Sequence, residues 1–375
     1  MIRFIHTADW QIGMKAAHVG AIGQRVRDER LHAAKRVVEV AAEQNVTCIV
    51  VVGDTFEDNA VDRVLVQKTA DILGGFAGPV YIIAGNHDPL VPGSVWGHAA
   101  WQAHNNLHLI EKAEPISIEG ATLYPCPLFE KYSPKDPTRW INAHDDQSIA
   151  IGIAHGTVEG ISQTELDYPI ARDAATRAGL DYLALGHWHS TATYDDGNGT
   201  LRMSYSGTHE TTKFGERDSG NVLLVVIEER GATPKLTPIR TGGLAWETLE
   251  REIRDAGDLT RLREEVEAWP NPDSTLLETR LKGVLHPAEQ SEVTRIDEII
   301  RSRFLFGRMD HSQLLPGPTD DSWLADVPVG VMREVAEQLR QLCDPTAETR
   351  PDYASPKVAT RAMLELFRMT SEVKS

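Results

Sequence analysis

The sequence predicts an α/β protein in which two β-sheets pack together between flanking helices, with a small α/β capping domain and a C-terminal helical tail appended. Three observations predict it. Five apolar, strand-like runs each stop at polar residues suited to ligand chemistry. The first hundred residues read strand, helix, strand, helix, strand, which requires parallel strands covered by helices. Past residue 240 the chain turns to a fresh alternation of helix and strand, as a second folding unit would.

Taken in order, residues 2–5 form a first apolar run that leads through His6 and Thr7 to Asp9, Trp10 and Gln11. Residues 25–43 carry Leu31, Ala34, Val37, Val38 and Ala41 at spacings of three and four, the mark of an amphipathic helix. Residues 48–53 are a second strand ending at Gly53 and Asp54, and 62–73 a second helix. The third strand, Val80 to Ile83, runs into Ala84-Gly85-Asn86-His87-Asp88 and then Pro89. From 107 to 124 short strands with a Glu119-Gly120 turn suggest a meander added to a second sheet. Residues 131–146 are polar and loop-like. Strand runs return at 149–154, ending in His155, and at 182–186, ending in His187, Trp188 and His189, then at 201–205, 221–227 and 235–239. The second unit is expected to hold a helix from about 259 to 268, with 247–267 polar and helical in character, a strand at 276–284, a helix at 288–301 and a strand near 304–308. A Pro/Asp-rich linker at 315–328 leads to helices at 329–342 and 357–370, separated by polar 344–355. The expected division is 1–240, 241–320 and 321–375. The terminal helical hairpin either packs on its own globule or offers an apolar face to a partner.

Composition narrows the function classes. With 375 residues, 41% of them hydrophobic and 25% charged, the chain matches ordinary globular domains and suits two or three of them. No apolar run approaches a membrane span, and a strand beginning at Ile2 leaves no room for a secretory leader, so a cytoplasmic protein is expected. Cys48, Cys126 and Cys343 show no paired spacing. The net charge of −17 excludes a globally basic, DNA-coating protein, since duplex affinity comes largely from Lys and Arg on phosphates. A chain so acidic that acts on DNA would need a local Arg cluster or a partner.

The strand ends carry the chemistry. Alone, an Asp after Gly is ordinarily a turn or helix-cap residue, and a His at a strand end ordinarily structural. Five strand ends finishing in Asp, Asn or His instead describe one site beyond the carboxyl edge of a sheet. Asp9, Asp54, Asn86, His155, His187 and His189, with Gln11 as a further oxygen, are too many donors for one metal and suit two divalent ions bridged by a carboxylate. Such a pair, roughly 3.5–4 Å apart, activates water and clamps a phosphoryl group. Phosphoester hydrolysis is the expected reaction.

The order Asp-x-x, Gly-Asp, Gly-Asn-His-Asp, His, Gly-His-x-His resembles the calcineurin-like metallophosphoesterase superfamily, whose four-layer sandwich it implies. His6-Thr7-Ala8-Asp9-Trp10, Tyr205-Ser206-Gly207-Thr208 and Phe214-Gly215-Glu216, with the cap and tail, resemble the SbcD-type DNA repair exonucleases. The resemblance implies one metal on Asp9, Asp54 and His189 and another on Asp54, Asn86, His155 and His187, most often Mn²⁺, with Mg²⁺ or another transition metal as alternatives. It implies hydroxide as nucleophile, His87 against the scissile phosphate and leaving oxygen, and Asp88 orienting His87. It also implies 3′ to 5′ hydrolysis of DNA with endonuclease cutting of single strands or hairpins, a capping domain at 241–320 that binds DNA, an SbcC-like coiled-coil ATPase held by 321–375, and room for a homodimer. Nucleoid-associated action in the cytoplasm follows.

Two positions depart from that pattern. Gln11 stands where the first motif usually has His, a weaker and harder donor for a transition metal. Glu57-Asp58 follow Gly53-Asp54 where some relatives carry a catalytic histidine. For DNA contact the sequence offers Trp10 and Trp188, which either stack on nucleobases or simply pack, and Arg280 and Lys282 on the cap strand, with Arg295, Arg301, Arg303 and Arg308 nearby. A phosphatase for a non-DNA substrate and a weakly active scaffold are the competing readings, because a metal core alone does not choose a substrate.

Overall fold

In the computed structural model, residues 1–161, 167–196, 199–255, 257–286, 289–318, 321–344, 346 and 355–372 are described. They divide into two compact units, Met1–Ala245 and Trp246–Ser375.

The first unit opens with β1 (Ile2–Thr7), α1 (Gly23–Glu43), β2 (Cys48–Val52), α2 (Arg63–Gly74), β3 (Val80–Ile83) and β4 (Leu107–Leu109). It continues with β5 (Ile116–Ile118), β6 (Ala121–Cys126), β7 (Ile149–His155), α3 (Ala174–Ala178), β8 (Tyr182–Gly186), β9 (Ala192–Asp195), β10 (Leu201–Tyr205), β11 (Asn221–Ile227) and β12 (Lys235–Arg240). One six-stranded sheet has the order β12-β11-β1-β2-β3-β4, and the other β5-β6-β7-β8-β10-β9. Strands β1 to β4 are mutually parallel, as are β6, β7, β8 and β10.

The period-2 alternation of side chains explains why both sheets are apolar on both faces. Along β2, Cys48, Val50 and Val52 face one way and Ile49 and Val51 the other. The first set joins Ile2, Phe4, Ile83, Leu123, Ile151, Ile153 and Ala184 in a core between the sheets. The second joins Ile5 and Ile82 against Ala34, Val37 and Ala41 of α1 and Val66, Ala70 and Leu73 of α2. A third cluster covers the outer face of the second sheet with Ala174, Ala175 and Ala178 of α3. The result is a helix, sheet, sheet, helix sandwich. Asp62 starts α2 by accepting the Val64 N–H at 2.8 Å, satisfying one of the first-turn donors.

The second unit has β13 (Ala245–Ile253), α4 (Asp258–Glu267), β14 (Thr275–Leu285), α5 (Gln290–Arg303), β15 (Phe306–Pro316), α6 (Val331–Cys343) and α7 (Pro356–Glu372). Leu249, Ile253, Leu277 and Leu281 of the sheet pack with Leu259, Leu262, Val293, Ile296 and Ile300 of α4 and α5. The terminal helices fall in this unit with the strands. No helix among the described residues is long and apolar enough to cross a membrane.

Three expectations are corrected. β4 joins the first sheet, with Leu107 beside Val80, and only β5 and β6 form the hairpin around Glu119-Gly120. Residues 247–253 are strand, because Leu249 and Ile253 reach the core from β13 and pairing with β14 overrides the helix-like polar composition. β15 extends to Pro316, into the expected linker, through exposed polar residues whose register is set by β14. Most of polar 344–355 lies outside the described residues, as do 319 and 320 of the linker and 373–375 of the tail.

Candidate metal centre

The ligand-type side chains sit where the carboxyl ends of both sheets meet. Asp9, Gln11, Asp54 and Asn86 follow strands β1, β2 and β3 of the first sheet, while His155, His187 and His189 end or follow β7 and β8 of the second. The backbone there is bent to suit. Asp9, Gln11, Asp54 and His187 have φ of 55°, 47°, 50° and 113°, so four of the nine described non-glycine residues with positive φ are at this site. Strain of this kind persists only where surrounding contacts enforce it. Glycine makes the close approaches possible: a Cβ on Gly85 would collide with the Asp54 carboxylate, and one on Gly186 with the Val52 carbonyl.

Asp54, His155 and His187 present ligand atoms within 4.8 Å of one another. Asn86 Oδ1 completes the group, 2.9 Å from His155 Nε2 and 3.1 Å from His187 Nδ1. His155 Nδ1 lies 2.9 Å from the Val52 carbonyl, which only accepts, so that nitrogen carries hydrogen and Nε2 faces the oxygens. Burial works against charge on His155, yet Asp54 and Asp9 outweigh it and raise the imidazole to about 9. Nε2 points at Asn86 Oδ1 and at Asp54 Oδ2, the latter at 3.4 Å. Burial opposes ionisation of Asp54 too, but His155 and the His87 N–H hold its carboxyl well below the usual range. Burial and His155 push His187 down to about 3, leaving a neutral imidazole. Two oxygens, two imidazoles and a preference for positive charge fit a divalent transition metal.

Around Asp9 the arrangement is looser. Its carboxylate accepts the His187 N–H with both oxygens at 3.0 Å, and burial pushes it up to about 6 against the pull of His155 and His189. His189 Nδ1 lies 2.8 Å from Glu216 Oε1 and 3.0 Å from Thr212 Oγ1. The carboxylate accepts, so His189 keeps Nε2 for a metal, the carboxylate–histidine arrangement that orients metal-binding imidazoles. Gln11 donates Nε2 to Asp54 Oδ2 at 3.1 Å, leaving Oε1 as its one atom able to ligate. The structure thus draws Asn86, His155, His187 and Asp54 into one cluster and sets Asp9, Gln11 and His189 beside it.

A sequence profile of the calcineurin-like phosphoesterases matches residues 2–191, just over half the chain and the whole run of these ligands. The chain belongs to the calcineurin-like phosphoesterase family. YhaO of Bacillus subtilis (strain 168), described as an uncharacterized metallophosphoesterase, is 22% identical over 285 residues, covering 71% of this chain and 67% of that protein. Among solved structures, TT1561 of Thermus thermophilus aligns with a TM-score of 0.43 and 11% identity over 64% of this chain and 99% of that one. The calcineurin-like phosphoesterase YfkN from Bacillus subtilis aligns with a TM-score of 0.35 and 12% identity, over 63% and 88%.

The phosphoesterase site opens into a cleft of about 1290 Å³ lined by Gln11, Asp54, Asn86, His87, His187 and His189 among others. His87 donates its backbone N–H to Asp54 Oδ1 at 2.9 Å, and its Nδ1 lies 2.8 Å from the Glu57 carbonyl, so the hydrogen is on Nδ1 and Nε2 is the ring nitrogen left for a ligand. This corrects the role expected of Asp88. Its fully buried carboxylate accepts the N–H groups of Gly85 at 2.8 Å and Phe56 at 3.0 Å, and burial with Asp54 nearby raises it to about 7. Asp88 shapes the ligand loop, while Glu57 orients His87 through its backbone.

Trp10 is also corrected as a DNA contact. It is fully buried, donates Nε1 to Thr7 Oγ1 at 2.8 Å and stacks on His209 with centroids 4.8 Å apart. Trp188 is partly exposed and lines the cleft. In the second unit Arg280 is paired with Glu278 at 2.7 Å and Glu250 at 3.2 Å, whereas Lys282 is exposed. Sequence reasoning missed Arg30, a fully buried guanidinium of α1 bonded to the carbonyls of Trp10 and Glu210 and to Thr208, which ties that helix to the loops after β1 and β10. Nothing in a polar helix face distinguishes it. Glu216 did have a signal, the Phe214-Gly215-Glu216 motif, without a role attached.

Proposed function

We propose that this metal-dependent phosphoesterase hydrolyses phosphodiesters of DNA, as a 3′ to 5′ exonuclease that also cuts single strands or hairpins, in DNA repair with an SbcC-like coiled-coil ATPase. The observation that carries the reading is the size of the cleft. At about 1290 Å³ it exceeds the roughly 300–1,000 Å³ of small-molecule pockets, as a site for a polymer should.

Asp54, Asn86, His155 and His187 would hold one divalent ion and Asp9, Asp54 and His189, with Gln11, a second. Mn²⁺ suits this mixture of imidazole and oxygen donors. When bound, the ions supply charge for the phosphoryl oxygens and acidify water. The chain does the rest. His87, fixed by Glu57, places Nε2 in the cleft, where in its protonated form it donates to the departing oxygen. Asp88 and the glycines hold that loop in place, and Glu216 keeps the His189 hydrogen on Nδ1. The acidic chain leaves part of the DNA affinity to the partner, and α6 offers it exposed Val331, Met332 and Val335, at 74%, 41% and 39% exposure.

The net charge of −17 favours the second reading, a phosphodiesterase for a substrate less anionic than DNA. End-labelled DNA with Mn²⁺ separates the two. The expected result is shortening of the labelled strand, with His87→Ala lowering kcat by about 10² to 10⁴ while metal affinity stays within about twofold. Cleavage of a p-nitrophenyl phosphodiester without any cleavage of DNA would sink the DNA reading.

A further inference from the structure

With Trp10 buried, the aromatic surface at the cleft comes from elsewhere. Tyr132 lines the cleft and is 69% exposed, the ammonium of Lys131 lies 5.6 Å from its ring centroid, and Trp188 and Lys213 are on the same lining. An exposed tyrosine on a loose loop would mean little, but this loop is pinned on both sides. The Tyr168 N–H donates to the Ser133 carbonyl at 2.8 Å, the Tyr168 hydroxyl to the Glu130 carbonyl at 2.6 Å, and the Ser133 N–H to Asp167 at 2.8 Å. Tyr168 adopts φ of 48°, and its carbonyl accepts the Thr157 N–H two residues beyond His155. A Cβ on the intervening Gly156 would collide with that carbonyl. The segment that presents Tyr132 is therefore hydrogen-bonded, through one strained residue, to the segment that presents a metal-ligating histidine.

We propose that Tyr132, backed by Lys131 and with Trp188 on the same lining, is a nucleobase-stacking platform that holds a base of single-stranded DNA while a backbone phosphate lies over the metal centre. This rests on the reading of DNA as substrate. Stacking accepts any base, since every base offers a π-face, and it supplies affinity that phosphate charge alone cannot in a cleft also lined by Glu57 and Asp167. Lys131 and Lys213 add the charge expected of a single-strand groove, and a cation near an aromatic face strengthens the platform.

The test uses the full chain with Mn²⁺ and two labelled probes, a thymidine dodecamer and an abasic sugar-phosphate dodecamer, both with phosphorothioate linkages to slow turnover. Anisotropy should show the wild type preferring the base-bearing probe by about tenfold. Tyr132→Ala should abolish that preference without weakening the abasic probe, Tyr132→Phe should keep it, and Lys131→Gln should weaken both probes. An exposed side chain makes these variants safe for folding, which an unchanged Tm would verify. Equal affinity of wild type for the two probes, or a preference that survives Tyr132→Ala, overturns the platform, as does a phosphotyrosine peptide binding more tightly than either probe. A base preference lost in Tyr132→Ala alongside uncut end-labelled DNA would keep the platform and remove the proposed reaction.

Discussion

Two residues of the site bear on how tightly metal is held. Glu216 fixes His189 from behind, so Glu216→Gln should weaken Mn²⁺ by about 10- to 100-fold, read as the midpoint of a metal-dependent Tm shift, with the metal-free Tm little changed. Gln11 lends an N–H to Asp54 and keeps only a neutral oxygen for a cation. Gln11→His should therefore tighten Mn²⁺ without abolishing hydrolysis, and an unchanged titration would remove position 11 from the ligand set. The ligand types were legible in the sequence because each closes an apolar run. The hydrogen-bond partners were not: His87 leans on a backbone carbonyl and His155 on another, and a carbonyl has no letter of its own in a sequence.

At the scale of elements, β1 carries a buried histidine that the metal chemistry does not use. His6 Nε2 lies 3.1 Å from the Leu185 carbonyl and so donates, leaving Nδ1 to accept from the Tyr182 hydroxyl at 2.9 Å, a lacing of β1 to β8 across the two sheets. Burial pushes this imidazole down to about 3. The unfolded chain takes up the proton near the ordinary value of about 6.5 while the folded chain refuses it, so the contribution is complete above that pH. It is lost as pH falls from about 6.5 toward 3, at on the order of 1 kcal/mol per pH unit. His6→Gln should flatten the fall of Tm between pH 6 and pH 4, though not remove it, because buried His209 is also pushed well down. Parallel steps such as β1-α1-β2 were legible from periodicity. β13 was not, because its Glu and Arg residues follow helix-like composition and only the neighbouring β14 makes it a strand.

Across the whole molecule, α6 of the second unit keeps Val331, Met332 and Val335 exposed among the described residues. Val331→Asp with Val335→Asp should abolish capture by a coiled-coil ATPase while leaving Mn²⁺-dependent hydrolysis within about twofold of wild type, since Ala336 rather than either valine carries the packing of that helix. Retained capture would clear these residues of that role. The two-sheet core was legible as a pattern of doubly apolar strands, whereas the partition of β4 to the first sheet depended on pairing that no local signal encodes. One consequence reaches past catalysis. The donors come from opposite sheets, Asp54 and Asn86 from one and His155 and His187 from the other, so an ion bound among them is a rivet through the sandwich. Loading the ion should slow amide hydrogen exchange along β2 and β7 together, in residues far from any substrate, and the same enzyme deprived of metal should lose the cohesion of its halves before it loses either half.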